Sequence, residues 1–158
     1  MLYPINEENC VFYFETETGN RVSVEFTELT DTFGTAFPIY CVDIYNQIVS
    51  SSHANELSGS ATRDTIVSII KGFFDKFDCA LVAFIDTSTD NKGKARSRMF
   101  KSWFSTFASD DFIIEPREIT VSGSESYSLL IIRKSYGNTA MIIEAFDRFI
   151  RLANTPDE

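Results

Sequence analysis

Alternating apolar and polar residues predict that the chain opens with a β-hairpin. Residues 10–16 and 21–27 both alternate, and the turn between them, Thr18 to Asn20, contains residues that tolerate positive φ angles. Tight turns between antiparallel strands require such residues. A third alternating run at residues 40–48 follows the turn-rich stretch 30–38, so three antiparallel strands are expected at the start of the fold.

An amphipathic helix and a buried strand are predicted for the middle of the chain. Apolar residues recur at spacings of three, four, seven and eight over residues 62–77, as they do on one face of an α-helix. The serine-rich stretch before it, residues 49–61, has no periodicity and is expected to be a loop. Residues 80–85 are apolar without alternation, which is typical of a strand covered on both faces. A polar loop at residues 86–93 then leads to a second helix over residues 94–108.

Two more strands and a third helix are predicted for the end of the chain. Residues 112–121 and 127–133 form the strands, with a turn at residues 122–125, and a helix capped by Asn138 or Thr139 follows. On the solvent-facing side of that helix, the i,i+4 spacing of Glu144 with Arg148 and of Asp147 with Arg151 predicts two ion pairs.

The predicted element order is βββ-α-β-α-ββ-α. This order indicates an α+β fold with a mainly antiparallel sheet and helices packed against it. There is no domain linker, so a single domain over residues 1–153 is expected, with a loose tail at residues 154–158.

The composition also fits one folded domain. The chain has 158 residues, of which 44% are hydrophobic and 23% charged, and it contains 15 phenylalanines. This apolar share excludes an intrinsically disordered chain, and the length leaves room for one core. No apolar run approaches the about 20 residues that cross a bilayer, and the first nine residues lack the basic start and apolar stretch of a signal peptide. A cytoplasmic protein without a membrane segment is therefore expected.

The few cysteines and the one histidine limit metal and hydrolytic chemistry. Cys10, Cys41 and Cys79 are widely separated and lie in or beside apolar segments, which favours three buried thiols over a disulfide framework. A structural zinc site needs about four nitrogen or sulfur ligands, and the chain has no C-x-x-C pair and only His53 as a histidine. His53 lies in a serine-rich loop without a Gly-x-Ser-x-Gly elbow, so an exposed loop histidine is favoured over a Ser-His-Asp catalyst.

The charges are unevenly distributed along the chain. Its formal net charge is -9, which disfavours nucleic acid as a partner because duplex-binding proteins present a dominant basic face to phosphates. Residues 1–60 carry nine acids and one base, whereas residues 91–109 carry five bases and no acid. These five, which we call the basic row, are Lys92, Lys94, Arg96, Arg98 and Lys101.

Helical spacing divides the basic row between two sides of the predicted second helix. At 100° per residue, Lys94, Arg98 and Lys101 lie opposite the apolar residues Ala95, Met99, Trp103 and Phe107.

Arg96 falls among the apolar positions, in the first turn beside Asp86 and Asp90. A guanidinium there must pair with a carboxylate or reach past the edge of the core. It is therefore either a structural ion pair or a contact to a ligand or partner. The candidate binding residues are Asp86, Asp90, Lys94, Arg96 and Arg98.

A second candidate site lies at the start of the first long helix. Small residues at Gly59, Ser60 and Ala61, followed by Thr62, would leave backbone amides free to receive a pyrophosphate. A plain loop that caps the helix explains the same residues. Walker A and Gly-x-Gly-x-x-Gly loops are absent from the sequence.

One run of residues has the pattern of a known family motif. It reads Ala80-Leu-Val-Ala-Phe-Ile-Asp86-Thr-Ser-Thr-Asp90, then Lys94-Ala-Arg96-Ser-Arg98-Met-Phe100 and Trp103-Phe104. In these residues the chain resembles a bacterial family of unknown function, in which a strand ends in Cys-Asp-Ser-Ser-Asp-Gly and a helix begins with alternating arginines before Phe and Trp. The likeness extends over most of the chain. It indicates a related family but implies no mechanism, because that family has no assigned activity.

The element order is also similar to the core of the acyl-CoA-dependent N-acetyltransferase fold. The pyrophosphate loop of that fold has the pattern Gln/Arg-x-x-Gly-x-Gly/Ala, which Gly59 and Ala61 match, while a carboxylate, Glu56, stands at its first position. Where such enzymes place a general-acid tyrosine, this chain has Met99 and Phe100. The resemblance implies acyl-CoA bound at residues 59–62, although fold alone does not carry function.

Three hypotheses follow from the sequence. The leading one is a non-enzymatic intracellular binding or regulatory module, without a cofactor, that meets an unknown protein partner through residues 86–98. The alternative is an acyl-CoA-dependent N-acyltransferase-like enzyme. A third takes the acidic first third of the chain, residues 1–60, as a surface that attracts a basic protein or mimics nucleic acid.

Overall fold

A computed structural model of the chain describes residues 2–47, 60–86, 98–99, 102–103, 111–121, 124–135 and 137–154. The elements with defined bounds are, in chain order, β1 (Asn6–Glu8), β2 (Val11–Glu15), β3 (Arg21–Glu28), α1 (Thr30–Phe33), β4 (Ile39–Gln47), α2 (Ser60–Lys76), β5 (Ala80–Asp86), β6 (Phe112–Val121), β7 (Ser124–Arg133) and α3 (Thr139–Ala153). The strands follow one another across the sheet as β1-β2-β3-β4-β5-β7-β6. The pairs β1–β2, β2–β3, β5–β7 and β6–β7 are antiparallel, so the predicted α+β class is confirmed.

The chain divides into two compact units. The first unit contains residues 1–27 and 42–78, and the second contains residues 28–41 and 79–158. One domain over residues 1–153 with a tail at 154–158 stays a prediction.

The first unit buries one face of the β2–β3 hairpin and one face of α2. Phe14 and Val22, which pair across the hairpin, are both fully buried. The ring of Phe26 on β3 stacks on Phe73 of α2, with 3.9 Å between ring centroids. The alternation in the strands and the three-to-four spacing in the helix thus identify the core of this unit correctly. The turn also forms as predicted, with Gly19 at a φ of 84°.

Strand β1 and the exposure of Cys10 differ from the prediction. All three residues of β1 are exposed, so no apolar alternation marks the strand in the sequence. Asn9 and Cys10 form the two-residue turn to β2, where the Cys10 side chain is exposed. The prediction of a buried thiol is wrong for Cys10 because this residue belongs to the turn, and it is confirmed for Cys41 and Cys79.

The second unit packs α1 and α3 onto buried strands. Its core contains the mutually packed buried residues Phe33, Ile39, Ala80, Val82, Ile119, Leu130, Ile132, Ile142, Phe146 and Ile150. Three of these lie on α3 at helical spacing, and four lie on β5 or β7. Helix α1 falls within the turn-rich stretch 30–38 and was not predicted, because four residues are too few to show a helical period.

Two boundaries also differ from the sequence prediction. Helix α2 begins at Ser60, so Ser60 and Ala61 are helical and not part of a loop. A first helical turn need not carry core residues, so periodicity does not detect it. Strand β7 begins at Ser124, three residues before the predicted start, because cross-strand pairing continues to the Val121–Ser124 pair.

Candidate functional site

Strand β5 carries the chain from the core of the second unit to its surface. Ala80, Leu81 and Val82 are completely buried, as predicted for a strand covered on both faces. Exposure begins at the next two residues, and Phe84 has 36% of its surface exposed. Strand β5 is therefore accessible to solvent at Phe84.

An aromatic cluster surrounds the exposed end of β5. The Phe84 ring lies 5.9 Å from the ring of Phe149 on α3, and Phe149 lies 4.6 Å from Phe33 on α1. Phe33 is buried and also contacts Phe146, with ring centroids 6.4 Å apart. Rings from a strand and two helices thus fix the position at which β5 leaves the core.

The described part of the basic row is exposed to solvent. Arg98, Met99, Ser102 and Trp103 are helical, in agreement with the predicted second helix. Arg98 and Ser102 are exposed, Met99 is half-buried and Trp103 is buried. The predicted division into an apolar and a basic side is therefore confirmed for these residues.

The other candidate residues of this segment are only partly described. Asp86 is the last residue of β5 and pairs with Ser126 on β7, while its side chain lies outside the described atoms. Asp90, Lys94 and Arg96 lie outside the described residues. The ion pair of Arg96 with Asp86 or Asp90 stays a prediction.

The residues proposed for acyl-CoA lie on the first turn of α2, apart from Gly59, which is outside the described residues. Ser60 is exposed, Ala61 is half-buried, and Thr62 has 1% of its surface exposed. One turn further on, the Thr65 hydroxyl donates to the Ala61 carbonyl at 2.7 Å and accepts the Tyr3 backbone N–H at 3.0 Å. Ser60 is therefore the most accessible of the described candidate residues at this helix start.

A charged cluster between β6 and α3 was not predicted. The Arg117 Nε–H donates to Asp147 Oδ1 at 2.6 Å, and Arg117 Nη1 donates to Glu115 Oε2 at 3.0 Å. The sequence pattern pairs Asp147 with Arg151, four residues on, but the contact with Arg117 dominates. Because 30 residues separate Arg117 from Asp147, no local spacing could reveal this pair.

This cluster shifts the ionisation of both partners. The hydrogen bond from Arg117 lowers the pKa of Asp147 below its ordinary value, against an opposing effect of burial, and the charge of Arg151 adds a smaller lowering. The hydrogen bond to Asp147 raises the pKa of Arg117, which keeps the guanidinium charged. The arrangement is that of a structural ion pair that fastens α3 to the edge strand β6.

The described residues contain no metal-ligand cluster and no membrane-spanning helix. No group of three or more His, Cys, Asp or Glu side chains is close enough among them to hold a metal ion. None of the described helices combines the length and apolar composition needed to cross a bilayer. His53 lies outside the described residues.

Comparison with protein families identifies the family to which the chain belongs. A model of the family of unknown function DUF6169 matches residues 59–148, from the start of α2 to the middle of α3. This chain is a member of the DUF6169 family. The predicted membership of a family of unknown function is confirmed, while the motif details and the bacterial origin stay predictions.

The matched range of the DUF6169 family contains both candidate sites. Residues 86–98 and 59–62 lie within it, whereas β1 to β4 lie before it. No curated protein and no solved structure was found to match this chain.

Proposed function

We propose that this protein is a non-enzymatic, cytoplasmic binding or regulatory module, which needs no cofactor and meets a protein partner through residues 86–98. The observation that carries the proposal is the exposed guanidinium of Arg98 on a helical turn whose Trp103 is buried. Burial of Trp103 holds the described helical residues of this segment in place, while Arg98 faces the solvent. A preorganised cation loses less conformational entropy on binding than one on a mobile chain.

The charge distribution defines the chemistry of the partner. Five bases without an acid between residues 91 and 109 form a positive region in a chain whose net charge is -9. Such a region attracts a partner that presents carboxylates, and guanidinium groups bind carboxylates through paired hydrogen bonds. Phe84, a residue that is 36% exposed and lies two positions before the end of β5, adds an aromatic contact in the same unit. The partner is therefore a protein with an acidic surface that also offers apolar side chains.

A charge reversal tests this function. Proteins that copurify with the tagged wild-type chain are identified, and the affinity of each is then measured with purified components by calorimetry. Arg98→Glu is expected to weaken binding of the partner at least about tenfold, since it places like charges opposite each other. Arg63→Glu is the matched control, because Arg63 is an exposed helical arginine in the other unit.

Two results would contradict the proposal. Equal affinity of the wild type and Arg98→Glu for every partner would remove residues 86–98 as the binding surface. Equal weakening by both variants would show that the partner responds only to net charge. Circular dichroism and melting temperature establish that each variant is folded.

An acyl-CoA-dependent N-acyltransferase-like enzyme is the second candidate function. It is supported by the position of α2 between β4 and β5 and by the exposed Ser60 in its first turn. Coenzyme A and acetyl-CoA at millimolar concentration are expected to raise the melting temperature if they bind the folded state. Gly59→Leu should abolish that rise, whereas Gly72→Leu, further along α2 where nothing lies within 4 Å of an added Cβ, should preserve it. Without a rise for the wild type, the enzyme candidate is excluded.

A further inference from the structure

Helix α3 exposes two large apolar side chains on one side. Met141 has 57% and Leu152 has 70% of its surface exposed. Eleven residues correspond to slightly more than three full turns, so both side chains project on the same flank, about 16 Å apart along the axis. This flank borders the buried stripe of α3 that contains Ile142, Ala145 and Phe146.

Two opposite charges lie between these apolar residues. Glu144 and Arg148 are both exposed, on the same flank of α3. The structure assigns no ion-pair partner within the described residues to either side chain, in contrast to Asp147, which contacts Arg117. We call Met141, Glu144, Arg148 and Leu152 the α3 seam.

The order of side chains in the α3 seam is self-complementary. If a second α3 is laid antiparallel on the first, Met141 of each chain meets Leu152 of the other, and Glu144 meets Arg148. The two pairs have nearly the same midpoint, at Phe146, so a single two-fold axis brings both into contact. A two-fold interface requires this property, in which residue i contacts j and j contacts i.

We infer that the α3 seam is an antiparallel homodimer interface, with a second copy of this chain as its occupant. The interface combines two Met141–Leu152 contacts with two Glu144–Arg148 ion pairs. Charge pairing in the middle of the contact fixes the antiparallel orientation, because a parallel pair of helices would place Glu144 beside Glu144 and Arg148 beside Arg148. This inference does not depend on the proposed partner at residues 86–98.

The mass of the wild-type chain provides the first test. Sedimentation equilibrium over about a hundredfold range of concentration is expected to show a rise from the mass of one chain towards that of two. Leu152→Glu is expected to weaken the dimer at least about tenfold, since each substitution acts at both ends of a symmetric interface. Leu2→Glu is the matched control, because Leu2 is also exposed, in the first unit, and this variant should dimerise like the wild type.

Charge exchange provides the second test. Glu144→Arg and Arg148→Glu should each weaken the dimer, and the double variant should restore it, because opposite charges again face each other. Far-UV circular dichroism and melting temperature separate loss of the dimer from loss of the fold.

The orientation is tested by oxidation in a Cys10→Ser background, which removes the exposed thiol. Chains with Met141→Cys are expected to form disulfides with chains carrying Leu152→Cys and not with themselves. A single-chain mass at every concentration, a dimer unaffected by Leu152→Glu, or equal cross-linking of each variant with itself would overturn the inference.

Discussion

The turn between β1 and β2 places two consecutive residues in the left-handed region of backbone conformation. Asn9 has a φ of 50° and Cys10 a φ of 65°. Asparagine tolerates this conformation because its short amide bonds locally, whereas the Cβ of cysteine crowds the neighbouring carbonyl oxygen. Position 10 is therefore strained by its own side chain.

Replacing Cys10 with glycine is expected to stabilise the protein by about 0.5–1 kcal/mol. Glycine has no Cβ and adopts positive φ without strain, and Asn-Gly is the preferred pair for a two-residue hairpin turn. The measurement is the free energy of unfolding in urea. Gly19→Ala, at a φ of 84° in the next turn, should instead lower the free energy of unfolding. A lower free energy of unfolding for Cys10→Gly than for the wild type would contradict the inference that position 10 is strained.

The ion pair of Asp147 with Arg117 predicts a dependence of stability on pH. Because the pKa of Asp147 is lowered in the folded state, its contribution is complete above the ordinary carboxyl pKa of about 3.9 and is lost as the pH falls through the lower folded value. Asp147→Asn should cost about 1 kcal/mol at neutral pH, since the carboxylate is 35% exposed and partly screened.

The measurement is the difference in unfolding free energy between the wild type and Asp147→Asn at pH 7, 5 and 3. It should be equal at pH 7 and 5 and should shrink towards pH 3. Glu17→Gln, at an exposed turn position, serves as the control and should show little difference at any pH. A difference that persists unchanged at pH 3 would show that the cost arises from packing and not from charge.

Helix α1 is held in place by tertiary contacts. Four residues are too few to form a stable helix in water, and its Phe33 is 4% exposed against the rings of Phe146 and Phe149. The αL conformation of Gly34, with a φ of 64°, ends the helix. Burial of one ring therefore decides whether this element forms.

Phe33→Ala is expected to destabilise the protein by about 3–5 kcal/mol, through lost burial and the cavity that remains. Phe84→Ala is the matched control, because Phe84 belongs to the same aromatic cluster but is 36% exposed, and it should cost clearly less. Equal costs for the two variants, measured by urea unfolding, would contradict this account of α1.

The elements that the sequence revealed are those whose own side chains form the core. Strand β3 shows clean alternation and α3 a clear helical period, since each buries one face. Strand β1 buries nothing and α1 buries one ring, so neither produces a period. The Arg117–Asp147 contact depends on how α3 lies over β6, which is tertiary information that local spacing does not contain.

At the scale of the whole molecule, an excess of acidic residues opposes folding. The chain has 23 acids and 14 bases, and its net charge is -9. In the compact folded state the excess negative charges lie close together and repel one another. Added NaCl shortens the Debye length from about 30 Å at 0.01 M to about 8 Å at 0.15 M. The melting temperature is therefore expected to rise over this range.

A single substitution isolates the charge effect from other effects of salt. Glu17→Lys, at an exposed position in the acidic first third, should raise the melting temperature at 0.01 M NaCl and lose most of this effect at 0.15 M. A melting temperature of the wild type that falls with salt would show that local ion pairs outweigh the net repulsion.

The candidate site, like the fold, could be predicted only as far as local sequence patterns allow. Charge counting along the sequence located the basic row, and helical spacing oriented Arg98 and Trp103 correctly. The identity of a partner is not encoded in spacing, because it depends on which surfaces the folded chain presents together.

The exposed cysteine in the β1–β2 turn also gives the protein a site for selective chemical labelling. Of its three cysteines, Cys10 is exposed while Cys41 and Cys79 are buried. A maleimide dye added to the native chain should consequently react at one position, and full reaction of all thiols should await denaturation. A fluorophore attached there would report directly on opening of the first hairpin.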